Sequence, residues 1–179
     1  MKVFYADTHL YGINSVDIIF NFSEDVYLLG DIVDLRNCSH NRLFEAQETH
    51  ASILKKLGER YISGNHELDF ENLFLVVDGI YMTHGDYLCW GKKKAVHFRK
   101  ERKGRSNIER LFSKIWDYVY RMLPIIVNKK LCERAYAEAT RNSCHTVILG
   151  HMHPRKLISI IYRGITIYIL PQGRTELSL

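Results

Sequence analysis

Short apolar runs along this chain end repeatedly at the same kind of polar punctuation. Val3-Phe4-Tyr5-Ala6 gives way to Asp7, Val26-Tyr27-Leu28-Leu29 to Gly30-Asp31, and Tyr61-Ile62 to Gly64-Asn65-His66-Glu67. Ile80-Tyr81-Met82-Thr83 stops at His84-Gly85-Asp86, and Thr146-Val147-Ile148-Leu149 at Gly150-His151-Met152-His153. Apolar runs of this length bounded by turn residues predict buried strands, here over 2–6, 26–29, 60–63, 80–83 and 146–149. Residues 73–77 predict a further strand joined to 80–83 by Asp78-Gly79, a dipeptide suited to a tight hairpin. Strands over 156–162 and 165–170 are joined at Arg163-Gly164.

Two stretches carry a helical period instead. Over 41–57, Leu43, Ala46, Ile53, Leu54 and Leu57 fall on one face, and Gly58 is placed to stop the helix. Between 92 and 143, Ile108, Leu111, Phe112, Ile115, Val119, Met122 and Ile126 recur at spacings of three and four and form an apolar stripe. Pro124 kinks or ends that helix, and a second helix is expected from about 130 to 140. Strands mixed with helices give an α+β fold, a single domain over 1–179 with a helical, cap-like insert at 92–143.

A chain of 179 residues, 46% of them apolar, has room for one sizeable core. No run approaches the ~20 apolar residues that cross a bilayer. A cleavable leader would remove Asp7, so a cytoplasmic location is expected. Cys38, Cys89, Cys132 and Cys144 form no CxxC pair, which predicts free thiols rather than a disulfide framework or a thiolate zinc site. Ten Lys or Arg lie between Lys92 and Lys114 against only Glu101 and Glu109, which predicts either an anionic partner or a solvated helix face. A basic, amphipathic insert also allows peripheral contact with a membrane.

The polar strand ends hold the chemistry. Asp7, His9, Asp31, Asn65, His84, His151 and His153 mix imidazole nitrogen with carboxylate and amide oxygen, a donor set that suits manganese, iron, zinc, cobalt or nickel better than calcium. They exceed the needs of one ion. Two divalent ions are coherent if a carboxylate bridges them, and Asp31 is the natural bridge. Asp7-Thr8-His9 and His151-Met152-His153 each separate two donors by one residue, which lets both face one side as the chain leaves a strand. His40, His50, His97 and His145 lie outside these blocks and are given no chemical role.

Five blocks in order, Asp7-Thr8-His9, Gly30-Asp31-Ile32-Val33-Asp34, Gly64-Asn65-His66-Glu67, His84-Gly85 and Gly150-His151-Met152-His153, resemble the calcineurin-like metallophosphoesterase superfamily. The resemblance implies a four-layer α/β/β/α sandwich of two facing mixed β-sheets. It implies that Asp7, His9, Asp31 and His153 bind one ion, manganese first among the candidates, and Asp31, Asn65, His84 and His151 the other. A hydroxide bridging the ions would then cleave a phosphoester or pyrophosphate bond, with His66 as general acid and Asp34 orienting the site. From the residues alone, Asp34 equally caps the turn after its strand, His66 can be read as a surface histidine, and Glu67 as a loop carboxylate or a support for His66.

His84-Gly85-Asp86-Tyr87-Leu88-Cys89, the Val96-His97-Phe98-Arg99 region and the helical insert resemble the UDP-2,3-diacylglucosamine hydrolase branch. That resemblance implies a phosphorylated small-molecule or lipid substrate, UDP-linked lipids and nucleotides among them, under a helical cap. A nuclease or phosphodiesterase acting on nucleic acid is the alternative, since the basic segment would also neutralise backbone phosphates. A non-catalytic scaffold of the same fold is a third reading.

Overall fold

A computed structural model of the chain describes residues 1–10, 20, 25–67, 72–100, 115 and 129–179. The strands are β1 (Lys2–Ala6), β2 (Val26–Leu29), β3 (Tyr61–Ile62), β4 (Phe74–Val77), β5 (Ile80–Thr83), β6 (Thr146–Leu149), β7 (Ile158–Tyr162), β8 (Ile165–Ile169) and β9 (Gly173–Leu177). The helices are α1 (Leu43–Leu57), α2 (Asp86–Trp90), α3 (Lys92–Lys100) and α4 (Lys129–Arg141).

Two mixed sheets form, a four-stranded one in the order β3-β2-β1-β9 and a five-stranded one in the order β4-β5-β6-β8-β7. Alternation along the strands explains how they pack. In β1, Val3 and Tyr5 join a cluster with Ala46, Ile53 and Leu57 of α1, while Phe4 and Ala6 join one with Ile80, Met82 and Ile148 of the other sheet. In the second sheet Tyr81, Val147, Leu149 and Ile167 turn the opposite way and pack on Leu88 of α2 and on Leu131, Cys132, Ala135 and Ala139 of α4. Both faces of the central strands are thus covered, which is why their sequences read as continuous apolar runs.

Strand direction decides where the polar loops go. β1, β2 and β3 run parallel, as do β5, β6 and β8. Parallel strands in one sheet emit their carboxyl-terminal loops at one edge, so the loops after β1, β2 and β3 leave together, as do those after β5 and β6. Both expected hairpins are present. Asp78 and Gly79 have φ of 52° and 72°, and Arg163 and Gly164 have 50° and 85°. Such left-handed pairs are what tight hairpins use.

α1 stops at Leu57 with Gly58 as its C-cap, as expected; the φ of Gly58 is −49°, and the chain continues through a 3-10 turn over Gly58–Arg60. Two differences from the sequence expectations have local causes. β9 is an addition that the apolar pattern does not announce. The helix expected near 130–140 is present as α4, but it packs on the outer face of the second sheet and belongs to the core layer rather than to a cap. Ile108 to Ile126, with the exception of Ile115, and five of the ten basic residues lie outside the described residues. All four cysteines are free. Among the described residues no helix is long and apolar enough to cross a membrane.

Candidate metal centre

Asp7 follows β1, Asp31 follows β2, Asn65 follows β3, His84 follows β5, and His151 and His153 follow β6. Three of these loops belong to one sheet and two to the other, yet their side chains meet. His153 Nε2 lies 2.8 Å from Asp7 Oδ1, and the backbone N–H of His151 donates to Asp7 Oδ2 at 2.8 Å. His84 Nε2 lies 3.1 Å from Asn65 Oδ1, 3.4 Å from Asp31 Oδ2 and 3.0 Å from His151 Nδ1. Among the described residues, three groups hold their donor atoms close enough together to bind an ion: Asp7, His9 and His153; His9, Asp31 and His66; and Asp31, His84 and His151. Asp31 stands in two of them.

The backbone is bent to make this possible. Asp7, His9, Asp31, His151 and His153 have φ of 54°, 50°, 52°, 65° and 46°. Left-handed backbone costs a non-glycine residue on the order of 1 kcal/mol, and such strain gathers where function demands a geometry. Glycine relieves crowding at two further points. A Cβ on Gly64 would collide with the Asp31 carboxylate, and one on Gly150 would lie 2.7 Å from Asp7 Oδ2.

Outer contacts orient the donors. His84 Nδ1 donates to the carbonyl of Leu29 at 3.0 Å, which leaves Nε2 facing Asp31, Asn65 and His151. Anchoring one ring nitrogen on a carbonyl is how proteins aim the other at a metal. Asp34 satisfies both readings of its place in the sequence. Its Oδ1 accepts the backbone N–H of Asn37 at 2.8 Å and also meets His66 Nδ1 at 2.8 Å, so it caps the turn and holds the histidine. His66 Nε2 then lies 3.8 Å from Asp31 Oδ2, with its side chain 18% exposed at the rim. Glu67 is buried and ties two loops, accepting the N–H groups of Asp31 at 2.8 Å, Gly64 at 2.7 Å and Val33 at 3.0 Å. Its role is to brace the Asp31 backbone.

The electrostatics are those of a site that wants a cation. Burial alone would raise the pKa of Asp7 and Asp31, yet His153 and His84 beside Asp7, and His84 and His66 beside Asp31, hold both below the ordinary carboxylate value. Burial likewise works against the Asp34 anion, and His66 and His9 reverse it and lower its pKa. His84 is buried, which disfavours its charge, but Asp31, Asp7 and Asp86 outweigh this and raise its pKa to about 10. Burial and the charge on His84 push His151 down to about 3, which keeps it a neutral donor. Burial and Asp31 push Glu67 up to about 7. So many carboxylates cannot be buried together without positive charge among them, and an ion bound by oxygen and imidazole would supply it.

Every residue singled out from the sequence, the seven donors together with His66 and Asp34, therefore converges on one place. Other participants were not anticipated. Asn37 bonds Asp34 and lies 3.0 Å from His66 Nδ1, and the Trp90 ring stands edge-on to His151 with centroids 4.4 Å apart. Arg99, in sequence one of ten basic residues and part of the Val96-His97-Phe98-Arg99 region but given no role of its own, is buried against Asp86. His50 and His145 bond to Tyr61 and Thr146, away from the donor groups. No model of a known protein family matches this chain, and no curated protein matches it.

Proposed function

We propose that the chain is a two-metal phosphoesterase of the calcineurin-like type, built as a four-layer α/β/β/α sandwich. One observation carries this reading: seven nitrogen and oxygen donors from five strand-end loops converge across two sheets, five of them on left-handed backbone. Asp7, His9, Asp31 and His153 would hold one divalent ion, and Asp31, Asn65, His84 and His151 a second. Manganese fits this donor set, as do iron, zinc, cobalt and nickel. Two such ions, when bound, make water a nucleophile near neutral pH and offset charge on phosphoryl oxygens.

The chain's own residues supply the remaining roles. Asp31, which shares one donor group with His9 and another with His84 and His151, would be the bridge. His66 is the proton donor to the leaving oxygen: burial opposes its charge, but Asp31 and Asp34 raise its pKa, which favours the protonated ring. Asp34 keeps its Nδ1 side bonded, leaving Nε2 to act at the rim. Glu67 holds the Asp31 backbone N–H, and Gly64 leaves room for the Asp31 carboxylate.

The exposed Lys92, Lys93, Lys94 and Lys100 of α3 favour an anionic substrate. A phosphorylated small molecule or lipid is the first choice, and nucleic acid the second for the same reason. A non-catalytic scaffold would have no use for a complete donor set with a braced His66. The deciding experiment is a manganese-supplemented screen against a chromogenic phosphate ester, phosphomonoesters, cyclic nucleotides, UDP-linked lipids and single-stranded nucleic acid. Turnover that is abolished by chelator and by Asp31→Ala is expected; turnover indifferent to both would overturn the reading.

A further inference from the structure

We infer that Arg99 is a positioning residue that sets the distance between the Asn65 and His84 loops, and so controls one of the two ion sites. This rests on the metal-centre reading above. Arg99 lies on α3 and is 1% exposed. Its Nε donates to Asp86 Oδ2 at 2.8 Å and its Nη2 to Asp86 Oδ1 at 2.9 Å, a two-pronged grip on a carboxylate that is itself fully buried. The same guanidinium reaches the other way, from Nη1 to Ser63 Oγ at 3.2 Å and from Nη2 to the Ser63 carbonyl at 3.0 Å. The face of Tyr87 covers it, with the ring centroid 5.1 Å from Cζ.

Position in the chain gives this contact its meaning. Asp86 is two residues past His84, and Ser63 two residues before Asn65. Ser63 leaves the first sheet and Asp86 the second, so one planar cation links the two loops whose side chains meet at His84 Nε2 and Asn65 Oδ1. A guanidinium suits this task because its donors sit in a rigid plane; lysine offers a point charge on a flexible stem and cannot serve both loops at once. Burying a charge this deeply is an inefficient way to stabilise a core, since desolvation cancels most of the attraction. A cross-loop spacer is a better account. The Asp7, His9 and His153 group is carried by the loops after β1 and β6 instead, so the two ion sites are expected to respond differently.

The test is calorimetric titration of the whole, metal-free chain with Mn2+. The wild type should show two binding events, and His84→Ala identifies the one that depends on His84. Arg99→Lys is expected to weaken that same event by roughly 10- to 100-fold, the usual effect of losing an outer-shell partner, with the other event moved less than about threefold and the far-UV circular dichroism unchanged. Equal weakening of both events, or none, would overturn the inference, because a merely structural arginine would not single out one ion. Should Arg99→Lys fail to fold, Ser63→Ala serves in its place, with the same event expected to weaken by about three- to tenfold and no shift counting against the inference. Absence of any Mn2+ binding by the wild type would instead sink the metal-centre reading itself.

Discussion

The Nδ1 atom of His84 lies 3.0 Å from the carbonyl oxygen of Leu29, so the last residue of β2 in one sheet aims a ring carried by β5 of the other. The register between the sheets is therefore written into the orientation of a single imidazole. Removing that ring should cost more than one donor. His84→Ala is expected to lose one of two bound ions by elemental analysis, and to lower turnover by more than the roughly 100-fold that an outer-shell loss costs.

Proton release should accompany metal binding. In the metal-free chain the carboxylates around His84 outweigh its burial and raise its pKa to about 10, so near neutral pH the ring is charged and an ion must displace a proton. His153 is shifted the same way, because Asp7 overcomes its burial. Apparent affinity should rise with pH, about tenfold per unit for each proton displaced. The sign for stability is opposite: without metal, the contribution of the charged His84 is complete below about pH 6.5 and fades as pH climbs through about 10. Calorimetry in buffers of different ionisation enthalpy counts the protons; a count of zero would contradict the assignment.

His66 and Asp34 should separate chemistry from ion binding. Asp34 Oδ1 holds His66 Nδ1 at 2.8 Å, and Asp34→Asn removes the charge behind that contact. The variant is expected to lower kcat by roughly 10- to 100-fold while both ions remain bound. Steady-state kinetics paired with metal analysis on the same preparation checks this.

Two glycines should behave in opposite ways. Gly64→Ala drives a methyl group into the Asp31 carboxylate. It is expected to cost about 3 kcal/mol, a fall in Tm of about 6–12 °C. At Gly58 a Cβ would meet nothing within 4 Å, and the backbone is already helical at a φ of −49°. Gly58→Ala should therefore raise stability by about 0.4–1 kcal/mol. Thermal melts of the two variants side by side decide the matter.

Glu67 offers a further check. Its carboxylate accepts three backbone N–H groups, and glutamine would turn an amide donor toward some of them. Glu67→Gln is expected to cost about 2 kcal/mol and to loosen the Asp31 loop, read as a lower Tm and weaker Mn2+ binding together.

Strands buried on both faces were legible because their apolar runs are continuous, and both hairpins because Asp-Gly and Arg-Gly mark their turns. β9 was not. In Gly173-Arg174-Thr175-Glu176-Leu177 only Leu177 is buried, and the segment is a strand because β1 offers it an antiparallel edge, which is a tertiary cause. α2 was hidden for a related reason: its five residues are too few to show a helical period. The donor residues were readable because polar groups of metal-binding type recur at strand ends. The burial of Arg99, a residue quoted from the sequence without a role of its own, stayed hidden because a lysine-rich neighbourhood signals a solvated face, and its partner Asp86 lies thirteen residues earlier.

The donors reach the centre from both sheets, and this has a mechanical consequence. Asp7 on one side bonds His151 and His153 on the other, so the seam between the halves and the cation site are one place. A divalent ion seated there would rivet the halves to each other, and chelation would be felt as a loss of cohesion throughout the protein even where no substrate is in sight.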